Sequence, residues 1–266
     1  MSRIGPLFSG LGRPACIAYL TGGDPDPATS LAALRSVVDA GADIIEIGVP
    51  FTDPIADGPT IRRANVRALA AGTTPARIFD LVRAVREGTA VPIVLMTAYN
   101  IVYVRGIDRF YGEAAAAGAD GVIIPDMPPE ESGEAVAAAR RHGLDQIFLV
   151  APNTPDERLD RIIDHAGGFL YLVSVQGVTG ARAGLPPGME ERIAALRSRT
   201  PLPIAVGFGI AGPAQVRALA AAGADGVIAG SAIVEIVERH PGDSDVMCAE
   251  LKSFVAGLCG AVREGA

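Results

Sequence analysis

The chain has 266 residues, a formal net charge of −7, 49% hydrophobic residues and 32 glycines, a composition that supplies a substantial core and rules out a disordered chain. An acidic balance whose basic residues cluster no further than pairs such as Arg62-Arg63 and Arg140-Arg141 argues against nucleic acid or an anionic membrane as partner. The opening MSRIGPLF lacks the apolar core of a signal peptide, no apolar run approaches the roughly 18 residues that span a bilayer, and three cysteines without C-x-x-C spacing suit a reducing compartment, so a cytoplasmic protein is expected.

In chain order, residues 2–10 read as a helix ahead of a first strand near 16–21. A helix at 27–40 leads to a strand at 43–49, a helix at 75–87 to a strand at 92–97, and a helix at 108–117 to a strand at 121–125. Helix 130–142 precedes strand 146–150, helix 156–165 precedes strand 168–173, and helix 188–197 precedes strand 203–206. Helix 213–222, strand 226–229 and helix 246–262 complete the series. The phrase Ala-Gly-Ala-Asp recurs at 40–43, 117–120 and 222–225, each time between a helix and a strand, with glycine where a helix needs a left-handed C-terminal residue. The short continuous apolar runs are those of strands covered on both faces. Eight strand-helix units without a break fit a closed (β/α)8 TIM barrel better than an open doubly wound sheet, as one domain over residues 1–266 with the extra N-terminal helix on its floor. The active site then belongs on the loops that follow the strands.

One acid stands out. In Ile44-Ile45-Glu46-Ile47-Gly48-Val49, alternation places Glu46 with Ile44 and Gly48 on one face of the second strand. A carboxylate there lies at a solvated sheet edge or in a structural ion pair, or else titrates near neutrality because burial disfavours its charge. Asp53 and Asp57 follow on the next loop, at the same mouth of a barrel. Near the other end, glycine turns at 207–213 and 229–232 lead into helices, where exposed N–H groups and a helix N-terminus cradle a phosphate without lysine. The glycines of residues 174–180 suggest a mobile lid, continued by 181–187. Cys16, Cys248 and Cys259 suggest neither a metal nor a disulfide role, and His142, His165 and His240 lie near helix ends, where they cap or meet the helix dipole, which leaves catalysis to carboxylates, hydroxyls and backbone.

Taken together, GVPFTDPIADGP at 48–59, YLTGGDP at 19–25, PDMPPEE at 125–131, GVTGAR at 177–182, GFGI at 207–210 and GSAIVEIV at 230–237 resemble the tryptophan synthase alpha subunit family, in order and over nearly the whole chain. The resemblance implies a lyase that splits indole-3-glycerol phosphate into indole and glyceraldehyde 3-phosphate by a retro-aldol reaction, in L-tryptophan biosynthesis. It implies no cofactor or metal in this chain, with pyridoxal phosphate only in a beta subunit that joins it as an α2β2 heterotetramer and receives indole by channelling. By motif, Glu46 would be the general acid/base and Asp57 would bind the indole N–H. Gly180, Gly209, Gly230 and Ser231 would hold phosphate, Tyr19 and Phe208 would border the ring, and the Tyr171 hydroxyl would orient Glu46. Thr52, Asp53, Pro54, Asn100, Asp126 and Pro128 match loops that face the partner, although Asp and Asn also cap helices. Thr52, Arg62, Gly22 and Val175-Gln176 depart from the usual pattern, and none of them falls on the proposed acids or phosphate groups. Another phosphosugar barrel, an isomerase or epimerase, would share the cradle but need a different acid–base pair; a non-catalytic partner protein would not need both Glu46 and Asp57.

Overall fold

Eight parallel strands hydrogen-bond in sequence order and close on themselves in the computed structural model, which describes residues 1–54, 57–173, 185, 187–207 and 209–264. They are β1 (Ala15–Thr21), β2 (Ile44–Gly48), β3 (Ile93–Met96), β4 (Gly121–Ile123), β5 (Asp145–Val150), β6 (Leu170–Val173), β7 (Ile204–Gly207) and β8 (Gly226–Ala229), and β8 pairs with β1. The helices among the described residues are α1 (Ile4–Leu11), α2 (Pro27–Asp39), α3 (Pro59–Ala70), α4 (Pro75–Arg86), α5 (Tyr99–Arg105), α6 (Ile107–Ala117), α7 (Gly133–His142), α8 (Asp156–His165), α9 (Met189–Arg197), α10 (Pro213–Ala221), α11 (Ser231–Arg239) and α12 (Ser244–Glu264). A short 3-10 turn at Pro129–Glu131 precedes α7, so the helix expected from 130 starts at Gly133. Helices α3 and α5 are additions to the expected set, while α11 is the helix into which the 229–232 turn was expected to lead. Helix α5 runs only 7 residues, and α3 carries the polar Thr60 and Asn65 on its inward stripe.

Alternation along the strands sorts their side chains into two cores. Cys16, Ala18 and Leu20 of β1, with Ile45 and Ile47 of β2, face the helices. Ile17, Ile44, Val94, Ile123, Ile147, Ala205 and Ile228 point into the barrel and form a second buried cluster with Ile4 of α1 and Phe169. The Phe8 ring of α1 lies 5.9 Å from that of Phe169, so the N-terminal helix plugs the floor as expected. Burying each such Ile or Phe contributes about 1.5–3 kcal/mol. Because apolar side chains fill the lower half, space for polar chemistry remains only in the upper half.

The repeated Ala-Gly-Ala-Asp works at the bottom of the barrel. Gly41, Gly118 and Gly223 take the positive φ values of 95°, 99° and 87° that end a helix. Each following aspartate staples its own even-numbered strand to the strand before it. Asp43 N–H donates to Cys16 O at 2.8 Å while its Oδ2 accepts from Cys16 N–H at 2.8 Å. Asp120 makes the same reciprocal pair with Ile93, and Asp225 with Ile204. Arginines complete each staple: Arg13 at Asp43, Arg3 and Arg86 at Asp120, and Arg197 at Asp225. Before β6 the corresponding residues are Ala166-Gly167-Gly168-Phe169, and no aspartate stands there.

Candidate active site

Above the apolar plug, the inward positions are Tyr19 on β1, Glu46 on β2, Met96 on β3, Leu149 on β5 and Tyr171 on β6. Tyr19 and Glu46 are register partners on adjacent strands. The two tyrosines fit only because neighbouring strands carry glycine: a Cβ at Gly48 would stand 2.2 Å from the Tyr19 hydroxyl, and one at Gly207 would stand 2.4 Å from that of Tyr171. Neither glycine was assigned a role in the sequence reading, since only the barrel's cross-strand neighbours give it one. These side chains line a cavity of about 210 Å³, closed on the far side by Gly209, Ile210, Gly230 and Ser231 and bordered by Asp57.

Glu46 is 1% exposed, and neither of its carboxyl oxygens has a hydrogen-bond partner among the described residues. It is therefore not in the ion pair that was its structural alternative, and the orienting hydrogen bond expected from Tyr171 is not made. Burial first, and the charge of Asp57 second, push the Glu46 carboxyl up to about 8. A group titrating there can both give and take a proton near neutrality. Burial also raises the Tyr171 and Tyr19 hydroxyls, which stay neutral, and the Tyr19 hydroxyl lies 3.4 Å from Thr21 Oγ1.

Asp57 stands just before Gly58, the N-cap residue of α3, and accepts a 2.9 Å hydrogen bond at Oδ2 from the Asn65 amide. Burial raises its carboxyl, while the Asn65 hydrogen bond and the Arg62 charge pull it back. Arg62, one of the departures expected to lie clear of the acids, thus acts on one of them through its charge. Asn65 is the side chain the sequence reading missed. Its signal was a polar residue on the inward stripe of a helix, eight positions after the acid, in a helix that was not recognised.

Across the cavity, α11 begins at Ser231 with Gly230 as its N-cap and no side-chain cap, so its first N–H groups face the cavity mouth. A Cβ at Gly209 would meet nothing within 4 Å. In the same turn, Ala211 N–H is taken by Gln215 Oε1 at 2.6 Å. The cradle expected of the two turns is thus strongest at Gly230 and Ser231. Gly180, Phe208, Val175-Gln176 and the lid at 174–180 lie outside the described residues.

Thr52, Asp53, Asn100, Asp126 and Pro128 are exposed, and Pro54 is half-buried. Thr52 donates to Asp53 at 2.6 Å, and Asp126 accepts the Tyr99 N–H at 2.8 Å, capping α5 from a neighbouring loop. A second cavity of about 50 Å³ has Tyr19, Asp57 and Asn65 on one side and Asp53, Pro54 and Asp126 on the other. It adjoins the first along Tyr19 and Asp57. A larger opening of about 930 Å³ lies on the barrel floor, but its Arg13 and Arg197 are committed to the staples and volume alone offers no chemistry. The histidines stay away from all this, pairing with Asp108, Ser132 and Glu250. Among the described residues no group of three or more His, Cys, Asp and Glu is arranged to hold a metal, and no helix is long and apolar enough to cross a membrane.

A family model described as tryptophan synthase alpha chain matches residues 9–263. The tryptophan synthase alpha chain of Methanoregula boonei is 52% identical over 96% of this chain and 97% of that protein. A tryptophan synthase structure from Mycobacterium tuberculosis superposes with a TM-score of 0.90 at 38% identity, covering 98% of each chain. A structure of the tryptophan synthase a2b2 complex from Pyrococcus furiosus superposes with a TM-score of 0.87 at 41% identity, covering 93% of this chain and 98% of that one.

Proposed function

The chain belongs to the tryptophan synthase alpha chain family, and from that premise we propose that Glu46 moves the protons of its reaction while Asp57 holds the ring nitrogen of the substrate. The reaction is the cleavage of indole-3-glycerol phosphate to indole and D-glyceraldehyde 3-phosphate, and the protein works with a tryptophan synthase beta subunit. The observation that carries the residue assignment is a pair of raised carboxyls at one barrel mouth, one of them without a hydrogen-bond partner among the described residues, opposite an uncapped helix N-terminus.

The chemistry follows from proton balance. Indole is a poor leaving group until C3 of its ring is protonated, and the glycerol carbon bonded to it becomes an aldehyde only if its hydroxyl loses a proton. Glu46, mostly protonated at neutral pH, delivers its proton to C3. The resulting carboxylate then accepts the hydroxyl proton as the carbon–carbon bond breaks, so the residue ends as it began. Positive charge that develops on the ring nitrogen is met by the Asp57 carboxylate through the N–H. Tyr19 and Phe208 border the ring, and the N–H groups at Gly230 and Ser231, with Gly209 and Gly180, receive the phosphate. Thr52, Asp53, Pro54, Asn100, Asp126 and Pro128 face the beta subunit. The alpha reaction draws on no cofactor of this chain, pyridoxal phosphate belonging to the beta subunit, and the whole chain acts as one domain in the cytoplasm.

Indole release, followed spectrophotometrically with and without the beta subunit, tests this reading directly. Asp57→Asn should lower kcat about a hundredfold while binding of glycerol 3-phosphate stays within about threefold. Equal losses in turnover and phosphate binding would make Asp57 a structural loop acid. At Gly230 a Cβ would lie 3.4 Å from the Tyr19 ring, so Gly230→Val places methyl groups over the helix N-terminus. Its KM should rise about tenfold or more with kcat less affected, and an unchanged KM would remove Gly230 from the phosphate site.

A further inference from the structure

We propose that Asn65 is a positioning residue for the reaction, holding one oxygen of Asp57 so that the other is presented to the substrate's ring nitrogen; this rests on the role of Asp57 given above. Asn65 lies on the inward stripe of α3 with Thr60, Ile61, Ala64 and Ala68, and is 4% exposed. A buried amide costs stability unless its polar atoms are matched, so a polar residue on an otherwise small and apolar stripe calls for a specific partner. That partner is Asp57 Oδ2, and no other side-chain hydrogen bond reaches the Asp57 carboxylate among the described residues. A loop carboxylate without this bond is free to turn about its side-chain torsions, and the time spent turned away is lost to catalysis.

The helix that carries Asn65 is itself held. Thr60 donates to Glu235, Arg63 makes two bonds to Glu238, and Arg67 bridges Glu238 and the buried Asp24. Glu235 and Glu238 belong to α11, whose N-terminus is the phosphate site. Asn65 therefore holds the ring-binding acid from a helix whose Thr60, Arg63 and Arg67 side chains tie it to the helix at the opposite end of the substrate. The Asp57 charge raises the groups that face it, Tyr19 from β1, Glu46 from β2 and Tyr171 from β6, while Arg62 from α3 acts on Asp57 itself. Arg62 favours the ionised carboxylate, as the Asn65 amide does.

The experiment is a cycle of Asn65→Leu, Asp57→Asn and the double variant, each assembled with the beta subunit and assayed for indole release across pH 5–9, with glycerol 3-phosphate as the binding probe. Leucine is close in volume and cannot donate; Asn65→Ala reads the same quantities if leucine crowds the stripe and the chain does not fold. Asn65→Leu should lower kcat about tenfold, leave phosphate-probe binding within about threefold, and move the acid limb of the kcat profile to higher pH, because a donor that favours the carboxylate has gone. In the Asp57→Asn background the same change should cost less than about twofold. Equal losses in both backgrounds, or a kcat and pH profile like wild type, overturn the inference. Wild-type turnover in Asp57→Asn would instead remove the underlying role of Asp57, whereas an impaired Asp57→Asn beside an unimpaired Asn65→Leu overturns this inference alone.

Discussion

Glu46→Gln is expected to lower indole release by about three orders of magnitude or more while leaving the fold and glycerol 3-phosphate binding intact, because the amide fills the same space but can neither give nor regain the proton at the breaking bond. Wild-type-like turnover in that variant would sink the assignment. In the wild type, kcat/KM should decline as pH rises through about 8, where the free enzyme loses the proton it must deliver.

The same residue should leave a mark on stability. The folded chain keeps the Glu46 proton up to about 8, whereas the unfolded chain releases it near 4.5. Between those pH values unfolding releases a proton, so wild-type stability falls as pH rises, by up to roughly 5 kcal/mol across the window. Below 4.5 both states are protonated and the effect vanishes. Glutamine has no such proton, and Glu46→Gln should therefore gain on the wild type between pH 5.5 and pH 8 in denaturant titrations. A stability difference that stays flat with pH would show that the carboxyl is not held protonated in the fold. Activity and stability are opposed at this position because the burial that makes the acid useful is the burial that makes its anion costly.

Asp120→Ala is expected to cost about 3–5 kcal/mol and to lower Tm by roughly 10 °C. Its side chain is 1% exposed and accepts from the Arg3 backbone and guanidinium, from Arg86 and from Ile93 N–H. Alanine would leave two guanidinium groups and a strand amide without their acceptor at the floor of the barrel. Asp43 and Asp225, whose side chains are 11% and 30% exposed, make the same staple in a wetter setting. The three alanine variants should fall in the order Asp120, Asp43, Asp225 in thermal melts. Equal losses would mean that the strand bond rather than the buried charge pair carries the effect.

Much of this molecule can be read along the chain because its signals are local. Period-two alternation already turned Glu46 toward the barrel interior, since successive strand side chains must take opposite faces. A glycine before each Ala-Asp pair marked three helix ends, since a left-handed residue is needed there. Glycine turns before α10 and α11 pointed to anion-binding N–H groups for a similarly local reason. The family resemblance rested on the same short stretches.

Other features depend on which strands become neighbours when the barrel closes and how the loops fold over its mouth. That the recurring aspartates staple each even-numbered strand to its predecessor follows from strand pairing, which places Asp120 against Ile93 twenty-seven residues away. Gly48 and Gly207 matter because a tyrosine hydroxyl from the adjacent strand occupies the space their missing Cβ leaves. That Glu46 has no partner among the described residues while Asp57 has one is likewise decided in three dimensions. Asn65 meets Asp57 only once α3 has formed, and with Thr60 it is one of the inward polar residues that interrupt the apolar stripe of this helix in the chain.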